Sequence, residues 1–259
     1  MRHDGAPLLA KDEPPAWQVD DARAAGHVVV VCDHASNRIP GRLNGLGLSA
    51  AQLASHISWD PGAAEVARQL AQRLNAPLVT SGYSRLVIDC NRPPSSEESV
   101  ASVSAGVVIP GNRSIGAADR ARRIAEVFHP YHAAITALID QRVAAGWANL
   151  LLSIHSFTPE LDGHRRPWQI GFAYGRDPLL ARLLIDNLAS QGEFIVGHNQ
   201  PYSVGDSTDY TIPVHGEQRR LPHVLIEIRQ DLLTTAADCA AWADRLAAAY
   251  RRSEPTLLS

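Results

Sequence analysis

At 259 residues, the chain is long enough for one large α/β domain or two smaller domains with a substantial core. Its 45% hydrophobic and 20% charged residues are typical of a globular protein, and its net charge of −3 argues against nucleic acid as the main partner. No apolar run is long enough to cross a membrane, no signal-peptide segment stands at the N-terminus, and the odd number of cysteines (Cys32, Cys90 and Cys239) indicates reduced thiols, which together favour a cytoplasmic protein.

Strand and helix patterns alternate along the chain. Short apolar segments predict buried strands at residues 27–32, 76–80, 85–90, 149–154, 168–174, 194–196 and 224–228. Apolar residues at helical spacing predict helices at 49–56, 60–74, 116–128, 131–143 and 177–188, with a kink at Pro130 and a last helix that carries Trp242, Leu246 and Tyr250. Residues 95–115 are rich in Ser, Gly and Pro, and we expect a long loop of the kind that often covers a binding site.

This alternation predicts an α/β fold with a mostly parallel or mixed central sheet flanked by helices on both faces. No internal repeat or linker divides the later part of the chain, so residues 27–259 are expected to form a single domain. Residues 1–26 contain Pro7, Pro14 and Pro15 and are expected to be a loosely attached N-terminal segment.

Two of the predicted strands are followed directly by polar residues that include a histidine. His34 comes after strand 27–32, and His155 comes after strand 149–154. Ligands of open α/β sheets bind at the carboxyl ends of the strands, where side chains from neighbouring strands can meet. Two neutral imidazoles and a carboxylate would suit a zinc site that keeps a position for water. Each histidine could instead be an ordinary loop or core histidine bonded to a backbone group.

Glu227 lies inside the apolar segment Val-Leu-Ile-Glu-Ile. A charge there is costly unless it is paired or used in chemistry, and a partly desolvated carboxylate could act as a general base on water. The alternative is a buried ion pair with Arg229. Strand alternation points Glu227 and Arg229 to the same side, which allows either a pair or a shared substrate site.

Arg85 and the pair Asn91-Arg92 bracket the predicted strand at residues 85–90. Arginine is the side chain best suited to bind a carboxylate with two hydrogen bonds, so these three residues are candidates for holding an anionic substrate. Any one of the arginines could instead be an ordinary surface residue.

A series of motifs, in order along residues 27–235, resembles those of N-formylglutamate amidohydrolase-like proteins. The motifs are Cys-Asp-His-Ala-Ser-Asn-Arg-Ile-Pro (32–40), Trp-Asp-Pro-Gly-Ala (59–63), Tyr-Ser-Arg-Leu-Val-Ile-Asp-Cys-Asn-Arg-Pro (83–93), Pro-Tyr-His (130–132), Ser-Ile-His-Ser-Phe-Thr-Pro (153–159), Arg-Pro-Trp (166–168), Asn-Gln-Pro-Tyr (199–202) and Ile-Glu-Ile-Arg-Gln-Asp-Leu (226–232). The resemblance implies a zinc-dependent amidohydrolase whose fold is akin to those of zinc carboxypeptidases and aspartoacylases.

Those relatives use a His-x-x-Glu pair and a distant His for the metal, an Asn-Arg pair for a substrate carboxylate and a glutamate base on a late strand. The residues that match this pattern are His34, His155, Asn91, Arg92 and Glu227.

One position departs from the pattern. Asn37 stands three residues after His34, where the relatives have Glu. A carboxylate ligand must therefore come from elsewhere or be absent. Asp60 is the candidate, although an Asp followed by Pro61 is also a typical helix start, in which Asp60 would be only the cap.

The implied reaction is hydrolysis of the amide bond of an N-acyl amino acid, with N-formyl-L-glutamate as the type substrate. His34, His155 and Asp60 would hold zinc, and Glu227 would move the proton. Since an α-carboxylate occupies one arginine, the second of Arg85 and Arg92 leaves capacity for an acidic side chain. A small-peptide carboxypeptidase or another deacylase would use the same site, and the departure at Asn37 leaves open a metal-free ligand-binding relative.

Overall fold

Seven strands of the described residues, 6–147 and 149–258 of this computed structural model, form one mixed sheet at the centre of the molecule. The strands are β1 (Trp17–Asp20), β2 (Val28–Cys32), β3 (Leu78–Ser81), β6 (Leu150–Phe157), β9 (Ile170–Ala173), β10 (Val196–His198) and β11 (His223–Arg229). Two short hairpins pair β4 (Val103–Ser104) with β5 (Val107–Val108) and β7 (Glu160–Leu161) with β8 (His164–Arg165). The helices are α1 (Ala50–Ala54), α2 (Ala63–Leu74), α3 (Ala117–Arg123), α4 (His129–Ala144), α5 (Leu179–Ala189) and α6 (Ala236–Leu257).

The strand order in the sheet is β1-β3-β2-β6-β11-β9-β10. The four central strands, β3, β2, β6 and β11, run parallel to one another. Strands β9 and β10 are parallel to each other and antiparallel to β11, and β1 is antiparallel to β3 at the opposite edge. The carboxyl ends of β2, β6 and β11 therefore lie side by side at one edge of the sheet.

Both faces of the sheet are covered by helices. On one face, even-numbered residues such as Val30 and Leu152 pack in the same apolar cluster as α2, α5 and α6. On the other face, odd-numbered residues such as Val31 and Leu151 pack against α4. Because both faces of β2 are buried, its sequence is a continuous apolar run rather than an alternating one. The predicted fold class, a mixed sheet with helices on both faces, is confirmed.

The predicted strand at residues 85–90 is wrong. The segment forms consecutive turns, in which Ser84 accepts hydrogen bonds from the amides of Leu86 (3.1 Å, to Oγ) and Val87 (2.9 Å, to the carbonyl). Leu86, Val87 and Ile88 are nevertheless buried, which explains their apolar character. Local hydrogen bonds of a serine take the place of a strand ladder here.

The N-terminal segment is more closely packed than expected. Residues 1–5 lie outside the described chain, but β1 supplies an edge strand to the sheet and Leu8 is buried. The backbone amides of Leu8 and Leu9 donate to the carboxylate of Glu126 at 2.9 and 3.0 Å. An unpaired edge of β3 would leave backbone groups without partners, and β1 satisfies them.

The helices follow the predictions with shifts at their ends. Ser49 caps α1 through a capping box with Gln52, and Asp177 accepts the amide of Leu179 at the start of α5. At Pro130 the helix continues, and the irregularity is a π-helical stretch, Ile124–Phe128, directly before α4. In the described part of the chain, no helix combines the length and apolarity that a bilayer span requires.

Candidate metal centre and catalytic cavity

Three neighbouring parallel strands bring the predicted site residues together. His34 follows β2 by two residues, while His155 lies inside β6 and Glu227 inside β11. Glu227 is the direct partner of His155 in the parallel register of β6 and β11. Since side chains alternate along a strand, both point to the face of the sheet that α4 covers, beyond the end of that helix's apolar contacts. The structure thus brings His34, His155 and Glu227 to one place.

Asp60 lies between the two histidines. Its Oδ2 atom is 3.3 Å from Nδ1 of His34 and 2.9 Å from Nδ1 of His155. All three residues are buried, and one potential ligand atom from each lies within 4.8 Å of the others. These residues can together hold a metal ion.

Asp60 is not the cap of α2. The N-cap of that helix is Gly62, and no side chain caps it. Gly62 has φ +81°, and a Cβ atom at this position would lie 2.4 Å from Cβ of Leu233, so only glycine suits this turn. The backbone amide of Asp60 donates to the carbonyl of His34 at 3.0 Å, which ties the two loops together. The turn Asp-Pro-Gly thus turns the Asp60 carboxylate toward the histidines.

The outer nitrogen of each histidine contacts a second carboxylate. Nε2 of His34 lies 2.7 Å from Oδ1 of Asp89, and Nε2 of His155 lies 3.0 Å from Oδ2 of Asp33. A proton held on Nε2 by a carboxylate leaves the lone pair of Nδ1 directed at Asp60. This is the arrangement in which histidines ligate metals, because the outer carboxylate sets the tautomer and the orientation of the ring.

Asp33 is a fully satisfied buried carboxylate. Its Oδ1 accepts from the hydroxyls of Tyr131 (2.9 Å) and Thr211 (2.6 Å), and its Oδ2 accepts from Ser153 Oγ (3.0 Å) as well as from His155. Burial works to raise the pKa of Asp33, but the hydrogen bond and charge of His155 outweigh it, and the pKa stays below its usual range. Asp33 therefore remains an anion that can orient His155.

The charges around the histidines suit a divalent cation. Asp33, Asp60 and Asp89 are buried carboxylates, and Arg85 is the cation that pairs with two of them. Burial lowers the pKa of His155, but hydrogen bonds to Asp33 and Asp60 raise it well above the usual value, so this cluster favours positive charge strongly. With neutral imidazoles, the group has an excess of negative charge that a divalent ion would compensate.

Within the described part of the chain, the side chain of Glu227 forms no ion pair. It is 6% exposed, and its Oε2 atom accepts no hydrogen bond within the described residues. Burial raises the pKa of Glu227 to about 7, against the lowering effect of His155. A carboxylate with such a pKa can both take up and release a proton near neutral pH, as a general base requires.

Arg229 does not pair with Glu227. Its Nε donates to Asp231 at 2.8 Å, and its Nη1 donates to the backbone carbonyls of Arg166 (3.2 Å) and Trp168 (3.3 Å). It is not among the residues that line the cavity described next. These contacts favour a structural role, and we do not retain Arg229 as a substrate ligand.

A cavity of about 500 Å³ opens above the two histidines, Asp60 and Glu227. Its walls include Arg85, Asn91, Arg92, His56, Phe157 and Tyr202. Ser104 and Ala105, in the β4–β5 hairpin, contribute one side. This hairpin belongs to the predicted loop 95–115, which therefore does border the site.

Three of the predicted substrate-binding residues, Arg85, Asn91 and Arg92, line the cavity, but each has partners within the protein. Arg85 donates to Asp89 at 2.8 Å and lies 3.5 Å from Asp60. The Asn91 amide donates to Asp209 at 3.1 Å, and its oxygen accepts from two backbone amides. Arg92 donates to the carbonyl of Thr208. These residues are therefore held firmly in place, and Arg85 is largely neutralised.

Asn37, which departs from the carboxypeptidase pattern, lies outside the site and donates to the carbonyl of Leu53 at 3.1 Å. The residues that sequence reasoning missed are Asp33 and Asp89, as partners of the histidines, and His56. Asp33 directly precedes His34, and Asp89 stands in the same motif as Asn91, so their positions beside site residues were the available signal. The chain contains no local pattern that marks His56.

Known proteins resemble this chain in sequence and in fold. A sequence model of the N-formylglutamate amidohydrolase family matches residues 26–234. The crystal structure of gene product Atu2144 from Agrobacterium tumefaciens is 37% identical, with a TM-score of 0.94, and the alignment covers 97% of this chain and 100% of that one. N-formylglutamate amidohydrolase from Ralstonia eutropha JMP134 shares the fold at 17% identity, with a TM-score of 0.63 and coverage of 93% of this chain and 98% of that one. No curated protein sequence matches this chain.

Proposed function

We propose a specific reaction from one premise, which is that this chain belongs to the N-formylglutamate amidohydrolase family. The chain hydrolyses the amide bond of an N-acyl amino acid, with N-formyl-L-glutamate as the substrate and formate and L-glutamate as products. The observation that carries this proposal is the unpaired Glu227 carboxylate beside the group His34, Asp60 and His155, at the floor of one cavity.

His34, Asp60 and His155 are the proposed metal ligands, and zinc is the proposed ion. When bound, zinc would polarise the scissile carbonyl and make water more acidic. Asp89 and Asp33 keep a proton on the outer nitrogen of each histidine and so hold both rings in the ligating orientation. Asp60 would supply the carboxylate ligand that the carboxypeptidase pattern takes from a glutamate three residues after the first histidine.

Glu227 is the proposed general base. Its carboxylate takes a proton from water as the water oxygen attacks the acyl carbon. It then gives this proton to the amide nitrogen as the carbon–nitrogen bond breaks, so that formate and a free amine leave. Burial supports this role because a pKa of about 7 favours both transfers. His155 is the register partner of Glu227, so a proposed metal ligand and the proposed base lie on adjacent strands.

Arg92 is the proposed partner of the substrate's α-carboxylate. Its guanidinium lines the cavity, and its hydrogen bond to Thr208 leaves other donors available. The carboxylates near it, Asp209 and Glu98, are each 3.7 Å away. Asn91 orders the loop that carries Asp209 and so supports the same wall of the cavity.

The test is release of formate from N-formyl-L-glutamate by purified protein, with N-acetyl-L-glutamate and a blocked dipeptide assayed in parallel. Protein freed of metal by a chelator is expected to be inactive and to recover on addition of zinc. A protein that cleaves the dipeptide faster than the N-formyl amino acid would support the carboxypeptidase alternative. The variant that tests the metal site is Asp60→Asn, which keeps the size of the side chain and removes the charge of a proposed ligand.

A further inference from the structure

Arg166 is a buried arginine whose guanidinium stacks on two aromatic rings. It is 8% exposed, and its guanidinium lies over the rings of Phe157 and Tyr202, at 5.7 and 5.0 Å from their centres. The hydrogen bond of its side chain goes from Nη1 to the hydroxyl of Tyr202, at 3.0 Å. Among the described residues Arg166 forms no ion pair with a carboxylate.

The two arginines that line the cavity differ from Arg166 in this respect. Arg85 pairs with Asp89 and Asp60, and Arg92 has carboxylates within 4.0 Å. A buried cation that lacks an anion is costly, and such a charge is retained where an anionic group arrives to pair with it. Arg166 is therefore the arginine with the most unsatisfied positive charge near the site.

The surroundings of Arg166 open into the cavity. Phe157 and Tyr202, on which its guanidinium stacks, both line it. Because the Tyr202 oxygen accepts from Arg166, the hydrogen of this hydroxyl remains available to an acceptor inside the cavity. His56 also lines the cavity, and its Nε2 atom is buried without a hydrogen-bond partner in the described chain.

The pKa of His56 responds to the charges of two arginines. Burial is the largest of the causes that lower the pKa of His56, and the charges of Arg85 and Arg166 lower this pKa further. His56 therefore has little tendency to carry a positive charge, and its Nε2 atom has no partner in the described chain. Tyr202 and His56 offer a hydroxyl and an imidazole to the same cavity, and the guanidinium of Arg166 contacts Tyr202.

The backbone holds this end rigidly. The amide of Arg166 donates to the carbonyl of Pro159 at 2.8 Å, and the carbonyl of Arg166 accepts from Arg229. Gly171 allows the loop that carries Tyr202 to lie close to β9, since a Cβ atom there would be 1.8 Å from the carbonyl oxygen of Gln200. Arg229, which was predicted to bind substrate, therefore helps to position the backbone of Arg166 through this hydrogen bond.

We propose that Arg166, Tyr202 and His56 bind the side-chain carboxylate of the substrate and so select N-acyl amino acids with acidic side chains. This proposal rests on the proposed function, and it assigns the α-carboxylate and the side-chain carboxylate to different walls of the cavity. Arg85, which pairs with Asp89 and Asp60, is not the residue that reads the side chain.

The experiment compares N-formyl-L-glutamate with N-formyl-L-glutamine, which have the same shape and differ in one charge. We expect the wild type to have a higher kcat/KM for the glutamate substrate. Arg166→Met should reduce that preference about 10- to 100-fold, because a charge-assisted hydrogen bond is lost, and should change kcat/KM for the glutamine substrate little. The matched control is Arg165→Met, on the exposed neighbour, which should leave both substrates unaffected.

Two further measurements keep the outcome clear. Tyr202→Phe removes one hydroxyl from a largely exposed residue without a risk to folding, and it should also lower the glutamate preference. Calorimetric titration of the Glu227→Gln variant with both N-formyl amino acids reports binding with little turnover. Discrimination in this binding, together with a wild type that hydrolyses neither compound, would contradict the proposed function alone. Equal loss for both substrates in Arg166→Met and Tyr202→Phe, or no discrimination in binding, would overturn the assignment of this subsite.

Discussion

Glu227 and His155 are direct partners across the parallel strands β11 and β6, and both side chains line the same cavity. Neighbouring strands lie about 4.8 Å apart, so one strand spacing separates the backbones of the proposed base and the proposed metal ligand. Both residues lie within strands and not in loops. The two positions are part of the rigid core of the sheet. Rigid placement of this kind reduces the reorganisation that a reaction needs, and it makes single substitutions at these positions informative.

Glu227→Gln should lower kcat roughly 10²- to 10⁴-fold, because the amide keeps the shape of the side chain and cannot accept the proton of water. Zinc content and KM should change little, since Glu227 is not proposed to bind zinc or to hold the substrate. Steady-state kinetics and elemental analysis on the same preparation check this. Glu160→Gln, on an exposed strand of the β7–β8 hairpin, is the control. An unchanged kcat in the variant would make Glu227 a structural residue.

The wild type is expected to bind about one zinc ion per chain, and His155→Gln should lose most of it. Removal of one of three ligands weakens the site, while glutamine still offers an amide to Asp33. Zinc is measured by elemental analysis after dialysis, and circular dichroism verifies the fold. His164→Gln, on an exposed histidine, should keep full zinc. Full occupancy in His155→Gln would contradict the ligand set.

Arg85→Met should slow N-formyl-L-glutamate and N-formyl-L-glutamine by similar factors. The substitution leaves Asp60 and Asp89 without their cation, so it disturbs the site itself. The side chain of Arg85 is 27% exposed, and we expect a cost of about 1–3 kcal/mol in the free energy of unfolding. Arg68→Met, which removes a surface pair with Glu65, should cost less than 1 kcal/mol by the same measurement. A selective loss of the glutamate substrate would return Arg85 to the role that the sequence first suggested.

The parts of the site that the sequence predicted share a local signal. His34 and His155 are polar residues at or near the ends of apolar strands, and Glu227 is a charge inside one. Such contrasts are visible without the fold, because a buried strand tolerates polar groups only where they are used. The order of the strands, which makes these residues neighbours, is a property of the fold and is not part of this local signal.

The remaining parts depended on tertiary structure. Asp60 was ambiguous because Asp-Pro-Gly is also a helix start, and only the left-handed turn at Gly62 decides the direction of the carboxylate. Leu86, Val87 and Ile88 are apolar because they are buried, and a short buried segment gives the same pattern as a strand. The charge of Arg166 could not be recognised as unpaired, since pairing is a property of the folded neighbourhood.

His132 and His215 should make the protein less stable in mild acid. Nδ1 of His132 lies 3.0 Å from Nε2 of His215, and Nε2 of His132 donates to the carbonyl of Cys90 at 2.8 Å. Burial lowers the pKa of His132 to about 4, against the raising effect of Asp33. Burial, followed by the charges of His132 and Arg219, lowers that of His215 to about 3. The pair is therefore buried in its neutral form.

The sign of the effect follows from proton uptake. Below about pH 6.5 the unfolded chain protonates both histidines, whereas the folded chain does not do so until about pH 4. The free energy of unfolding therefore falls as the pH decreases across this range, by on the order of 2 kcal/mol per histidine at pH 5. His34 has a raised pKa and acts in the opposite direction, so the test is a difference between variants.

His215→Gln retains a donor for His132 and removes one titrating group. Urea unfolding at pH 7.5 and pH 5 should show a smaller loss of stability in this variant than in the wild type, by about 1–2 kcal/mol. His164→Gln removes an exposed histidine, and its loss should equal that of the wild type. If His215→Gln loses as much stability as the wild type between the two pH values, then His215 is not held neutral by burial. The acid sensitivity would in that case come from groups outside this pair.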